Sequence, residues 1–94
     1  MIDLNKGDYV LATKYSDGSP KDQWVVGFYD GTTGHNPVRH EVTDEYGCLM
    51  RGNGFRRCEK IDMSVGEYLL DNVSSIERGN ISLWDVVKDL GSAE

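Results

Sequence analysis

The spacing of apolar residues along the chain changes once, near Ile61, from a period of two to a period of about 3.6. Before that point, short segments rich in Val, Thr, Tyr, Trp and Phe are separated by turn-forming groups: Lys6-Gly7-Asp8, Asp17-Gly18-Ser19-Pro20, Asp30-Gly31, Thr33-Gly34-His35-Asn36-Pro37, Tyr46-Gly47 and Gly52-Asn53-Gly54. Gly, Asp and Asn tolerate positive φ or make side-chain turns, so the pattern predicts four or five short antiparallel strands. The first covers about Asp8 to Tyr15, with the Val10 and Ala12 face expected to be the more enclosed. The second, Gln23 to Tyr29, has apolar residues on both faces, as a central strand does, and Gly27 marks a bend, bulge or close-packing point. The third, Arg39 to Glu45, offers Val42 as its strong apolar residue and reads as an edge. A short segment Cys48 to Arg51 follows, and the last strand, Phe55 to Ile61, carries charge on both faces.

Beyond Ile61, Ser64-Val65-Gly66-Glu67 has the form of a capping box and precedes a stripe of Tyr68, Leu69, Val73 and Ile76, with Gly79 as the stop. Ser82 with Asp85 three residues on opens a second segment, Leu83 to Leu90, ended by Gly91. The expectation is an α+β chain, mainly β, with two short C-terminal helices. Residues 6–61 form a four- to five-stranded barrel or curved sheet, and residues 62–94 form a tail that caps an open end of it. At 94 residues there is room for one domain around one core.

Composition narrows the function classes. The apolar fraction is 38% and the charged fraction 28%, which suffices for a folded core. The net charge of −6 is uneven: residues 1–61 hold nine acids and eight bases, residues 62–94 seven acids and two bases. A negative field disfavours nonspecific polyanion binding, which draws on Lys and Arg displacing counterions. No run of about 18 apolar residues occurs, so no membrane partner is expected. The residues Met1 to Lys6 lack the charged and apolar regions of an export signal, which makes the cytoplasm the expected compartment. Cys48 and Cys58 are then expected to be thiols, buried as small hydrophobes.

Gly7-Asp8-Tyr9-Val10-Leu11-Ala12, then Trp24-Val25-Val26-Gly27-Phe28-Tyr29, then Val42-Thr43-Asp44-Glu45-Tyr46-Gly47 and a final basic strand occur in an order that resembles the SH3-like small barrels of the Tudor and KOW type. In those families a Gly-Asp opens the first strand and a Trp-bearing strand crosses the barrel. The resemblance covers roughly residues 6–61 and implies a binding fold. The chain departs from Tudor domains in lacking a clear four-residue aromatic cage. In size and style it also looks like the compact acidic proteins of bacteriophages and prophages, which implies a phage or bacterial source.

Three groups of residues are candidate sites. Tyr15, Trp24, Tyr29 and Tyr46, with Asp44 or Asp30, can be drawn as an aromatic pocket for a cation, because ring faces attract ammonium groups; the competing reading is that alternating aromatics are core. Arg39, Arg51, Arg56, Arg57 and Lys60, with His40 nearby, form a basic concentration that could follow a phosphate backbone. Against it stands an edge strand protected by charge, paired with the acidic tail. Trp84, Val87 and Leu90 are candidates for a self-association or partner interface rimmed by Asp71, Glu77, Asp85 and Asp89, with core packing as the alternative.

The chemistry-bearing residues are sparse. His35, His40, Cys48 and Cys58 lack the paired spacing of zinc ligands, so no metal or other cofactor is expected. Cys48 with His40 and Asp44 can be drawn as a nucleophile, base and orienter, but no activating motif accompanies them. The expectation is a non-catalytic interaction module whose partner is a protein or a second copy, with a nucleic-acid-binding barrel as the alternative and a small enzyme as a remote one.

Overall fold

A computed structural model describes residues 4–14, 23–32, 39–50 and 54–90. The chain is α+β. Its strands are β1 (Tyr9–Thr13), β2 (Trp24–Thr32), β3 (His40–Thr43) and β4 (Arg57–Lys60), followed by helices α1 (Met63–Asp71), α2 (Val73–Glu77) and α3 (Leu83–Leu90). The strands form one open antiparallel sheet in the order β3-β2-β1-β4. As the sequence predicts, the Trp-bearing strand is central and the two more charged strands are edges. The short segment after Tyr46-Gly47 contributes only an isolated bridge, Leu49 to Thr43, and Phe55 bridges His40 in the same way.

The single core expected from chain length is in fact two apolar clusters on opposite faces of the sheet. Val10, Ala12, Val25, Tyr29, Val42 and Phe55 make one; Leu11, Ile61, Val65, Leu69, Ile76, Leu83, Trp84, Val86 and Val87 make the other. Alternation along β1 sends Val10 and Ala12 one way and Leu11 the other, and all three are fully buried, so neither face is the more enclosed. The reason is the tail. Its helices lie over the Leu11 face of the sheet, where Tyr9, Trp24 and Val26 pack against them. A sheet apolar on both sides needs a layer on each.

The tail holds three helices where two were expected. α1 is capped two residues earlier than expected: the Asp62 carbonyl accepts from the Val65 and Gly66 amides at 3.1 and 3.2 Å, and Ser64 is an exposed residue of the first turn. Asn72 then breaks the run. Its Nδ2 donates to the Tyr68 carbonyl at 2.7 Å and its backbone N–H to the Leu69 carbonyl at 3.2 Å, closing α1 and redirecting the chain. Tyr68 consequently points out, while Val65, Leu69 and Ile76 stay buried. Gly79, at φ +81°, ends α2 as its position predicts, and its N–H donates to the Ile76 carbonyl at 3.0 Å. α1 approaches β1 through Gly66, where any Cβ would collide with the Tyr9 ring. Among the described residues no helix is long and apolar enough to cross a membrane.

Candidate functional site

The lengths of β2 and β3 differ, nine residues against four, so among the described residues part of one side of β2 has no paired strand. β1 pairs with Trp24 to Phe28, whereas β3 pairs only with Phe28 to Thr32. Hydrogen bonds at both ends of the β1–β2 ladder, Lys14 N–H to the Gln23 carbonyl at 2.7 Å and Tyr29 N–H to the Asp8 carbonyl at 2.8 Å, fix its phase. In an antiparallel pair the bonding residues alternate, so Gln23, Val25, Gly27 and Tyr29 face β1. Trp24 and Val26 therefore turn their N–H and C=O groups the other way, toward an edge along which no strand lies among the described residues.

An apolar cleft of about 180 Å³ opens at this edge. It is lined by Trp24, Val25 and Val26 of β2, by Met50, by Leu70 of α1 and Val73 of α2, and by the acidic Glu77. Leu70 is 54% exposed, so the lining continues onto the open surface. Pockets that enclose a small-molecule substrate run to about 300–1,000 Å³. A cavity of about 150 Å³ accommodates a single benzene ring. The cleft thus has the size for one apolar side chain.

Among the described residues, the aromatics singled out from sequence are not brought together. Trp24 lies on the helix face of β2 and Tyr29 in the opposite cluster, because their positions along the strand differ by an odd number. Tyr46 is 82% exposed at a turn held by Asp44, whose Oδ1 accepts from the Tyr46 and Cys48 amides at 2.9 and 3.0 Å. Asp30 lies 3.5 Å from Lys6, and Tyr15 is outside the described residues.

The basic residues are divided as well. The Arg57 guanidinium sits 3.8 Å over the centre of the Trp84 ring and also donates from Nε to Glu59 at 2.7 Å. Lys60 lies 3.9 Å from Asp8. Arg39 and Lys14 instead converge near Gly54, Arg56 is exposed, and Arg51 is outside the described residues. Of the interface candidates, Trp84 and Val87 are core and Leu90 is exposed.

Among the described residues no group of three His, Cys, Asp or Glu side chains that could hold a metal occurs, and the His40 Nδ1 lies 3.0 Å from the Tyr29 hydroxyl. His35 is outside the described residues. Burial lowers the His40 pKa from its ordinary value and raises that of Tyr29. A lowered imidazole pKa means the unfolded chain takes up the proton first, so the stability from neutral His40 is complete above the unfolded value of about 6.5 and falls as the pH drops below it. Urea unfolding at pH 7.5 and 5.5 checks this: the midpoint is expected to fall at pH 5.5, and less so in His40→Asn.

The thiols depart from expectation, since Cys48 is exposed and Cys58 only half-buried. Cys48 sits in the turn held by Asp44, its N–H donating to Asp44 Oδ1 at 3.0 Å. Cys58 lies against the Val10 and Phe55 cluster, and burial, with a smaller push from Glu59, raises its pKa to about 12. A thiol so little ionised is a poor nucleophile. Reaction with an aromatic disulfide at pH 7.5 is expected to be biphasic, Cys48 fast and Cys58 at the rate of local opening, with Cys48→Ser removing the fast phase alone.

Sequence reasoning missed Val26, Met50, Leu70, Val73 and Glu77 as one site. A signal existed in Met63 and Leu70, apolar residues seven apart and off the buried stripe of α1, both exposed in the fold. No family model, curated protein or solved structure matches the chain.

Proposed function

We propose that the chain is a non-catalytic binding module that engages a protein partner through the cleft between β2 and the α1–α2 elbow. The observation that carries this reading is the cleft itself: apolar, open to solvent, sized for one side chain, and continuous with exposed Leu70. Buried anchors of this kind dominate binding energy at protein interfaces. The scaffold reading is an SH3-like small barrel. It is supported by Phe55 and His40, which exchange both backbone hydrogen bonds at 2.8 and 3.0 Å, so that residues 55–60 meet the outer edge of β3 at one end and pair with β1 through β4 at the other. The nucleic-acid reading has less support, because Arg57 is committed to Trp84 and Glu59 and the net charge is −6.

Benzylammonium, a ring joined to a cation, is the smallest probe of the cleft. Titrated into ¹⁵N-labelled protein, it is expected to shift the amides of Val26, Leu70 and Val73 with a millimolar Kd, and Leu70→Asp is expected to weaken it. Shifts confined to other residues, or none at tens of millimolar, would contradict the reading.

A further inference from the structure

We infer that the edge at Trp24 and Val26, free of a paired strand among the described residues, takes an extended segment of a partner protein as an added β-strand, placing one apolar side chain in the cleft and a Lys or Arg beside Glu77. This rests on the cleft being the binding site and adds the mode and the chemistry of the partner. Three observations converge on it. First, the outward N–H and C=O groups of Trp24 and Val26 lie two residues apart on one strand, the spacing at which a neighbouring strand exchanges hydrogen bonds. Second, the cleft opens beside these same residues, so that alternate side chains of an added strand fall over it while those between face away. Third, the site is acidic: Glu77 lines the cleft, and residues 62–94 hold seven acids against two bases.

The geometry also bounds the segment. β3 takes over the edge at Phe28, so an added strand has only Trp24 to Gly27 to pair with and contributes about three or four residues. Charge argues against a second copy as the occupant. Two chains paired through this edge would bring two Glu77 carboxylates and two acidic tails together, and like charges across an interface select against the pairing. A basic, extended segment meets both the hydrogen-bonding and the electrostatic demand.

The test starts from a display library of random heptapeptides selected on the intact protein. Enriched sequences are expected to set an apolar residue at a two-residue period with Lys or Arg, and Glu77→Lys is expected to remove the basic preference. The best peptide is then synthesised with each backbone amide N-methylated in turn. Methylation at alternate positions is expected to weaken binding about tenfold, and at the interleaved positions much less, because only alternate amides face the edge. Binding at the cleft without this alternation, or failure to enrich any peptide while benzylammonium still binds, overturns strand addition and leaves the cleft reading in place. Silence of both peptides and benzylammonium overturns both. Concentration-dependent dimerisation that protects the Trp24 and Val26 amides assigns the edge to a second copy and overturns the partner proposed here.

Discussion

Trp84→Ala is expected to lower the unfolding free energy by about 4 kcal/mol without changing the oligomeric state of what remains folded. Trp84 is 9% exposed, belongs to the helix-side cluster with Leu11, Leu69 and Leu83, and carries the Arg57 guanidinium on its ring. Truncation removes the ring from that cluster and leaves Arg57 without its aromatic partner, two losses in the same direction. A domain of this length has a total stability of only about 5–14 kcal/mol. The melting temperature should therefore drop by roughly 20 °C. Calorimetry with light scattering on the same samples checks both halves: a dimer of the wild type that Trp84→Ala dissociates into a stable monomer would place Trp84 at an interface instead.

Gly27→Ala is expected to cost about 3 kcal/mol, although alanine is intrinsically the better strand residue by only about 0.5–1 kcal/mol. A Cβ at Gly27 would lie 2.6 Å from the Thr43 carbonyl oxygen and 2.9 Å from Val42 Cγ1. The first of these is backbone held in the β2–β3 ladder, so relief requires β3 to move, and overpacking wins over entropy. Gly47→Ala is the comparison. Gly47 has φ +82° but nothing near its Cβ direction, so its cost should be limited to about 1 kcal/mol of backbone strain. Urea denaturation of the two variants is expected to rank them in that order, and equal midpoints would remove the close packing at Gly27 from the account.

What could be read from the sequence follows from which signals are local. Apolar residues on both faces of Trp24 to Tyr29 marked a central strand, and Gly79 marked a helix end, because facing and positive φ are properties of a few consecutive residues. The two-cluster core was not legible, since it depends on the tail folding over the Leu11 face rather than the barrel mouth. Tail amphipathicity says that something is covered, without saying what. The break at Asn72 was missed because its side chain competes for a backbone carbonyl, Tyr68, four residues away. The cleft was hidden for a related reason: it arises from the unequal lengths of β2 and β3 and from Leu70 and Val73 arriving beside the part of β2 that has no paired strand among the described residues. Among the earlier candidates, Trp24 lines it, but without the tyrosines that composition had suggested.

Native-state amide hydrogen exchange on the protein alone reads whether the first half of β2 presents a free edge. Val25 and Gly27 donate toward β1, so their amides are expected to be protected about a thousandfold or more, close to the global stability. The amides of Trp24 and Val26 are expected to exchange within about tenfold of the unfolded chain, since their N–H groups face the open edge. Equal protection at all four residues would mean that the edge is already covered, and the account of the site would be wrong.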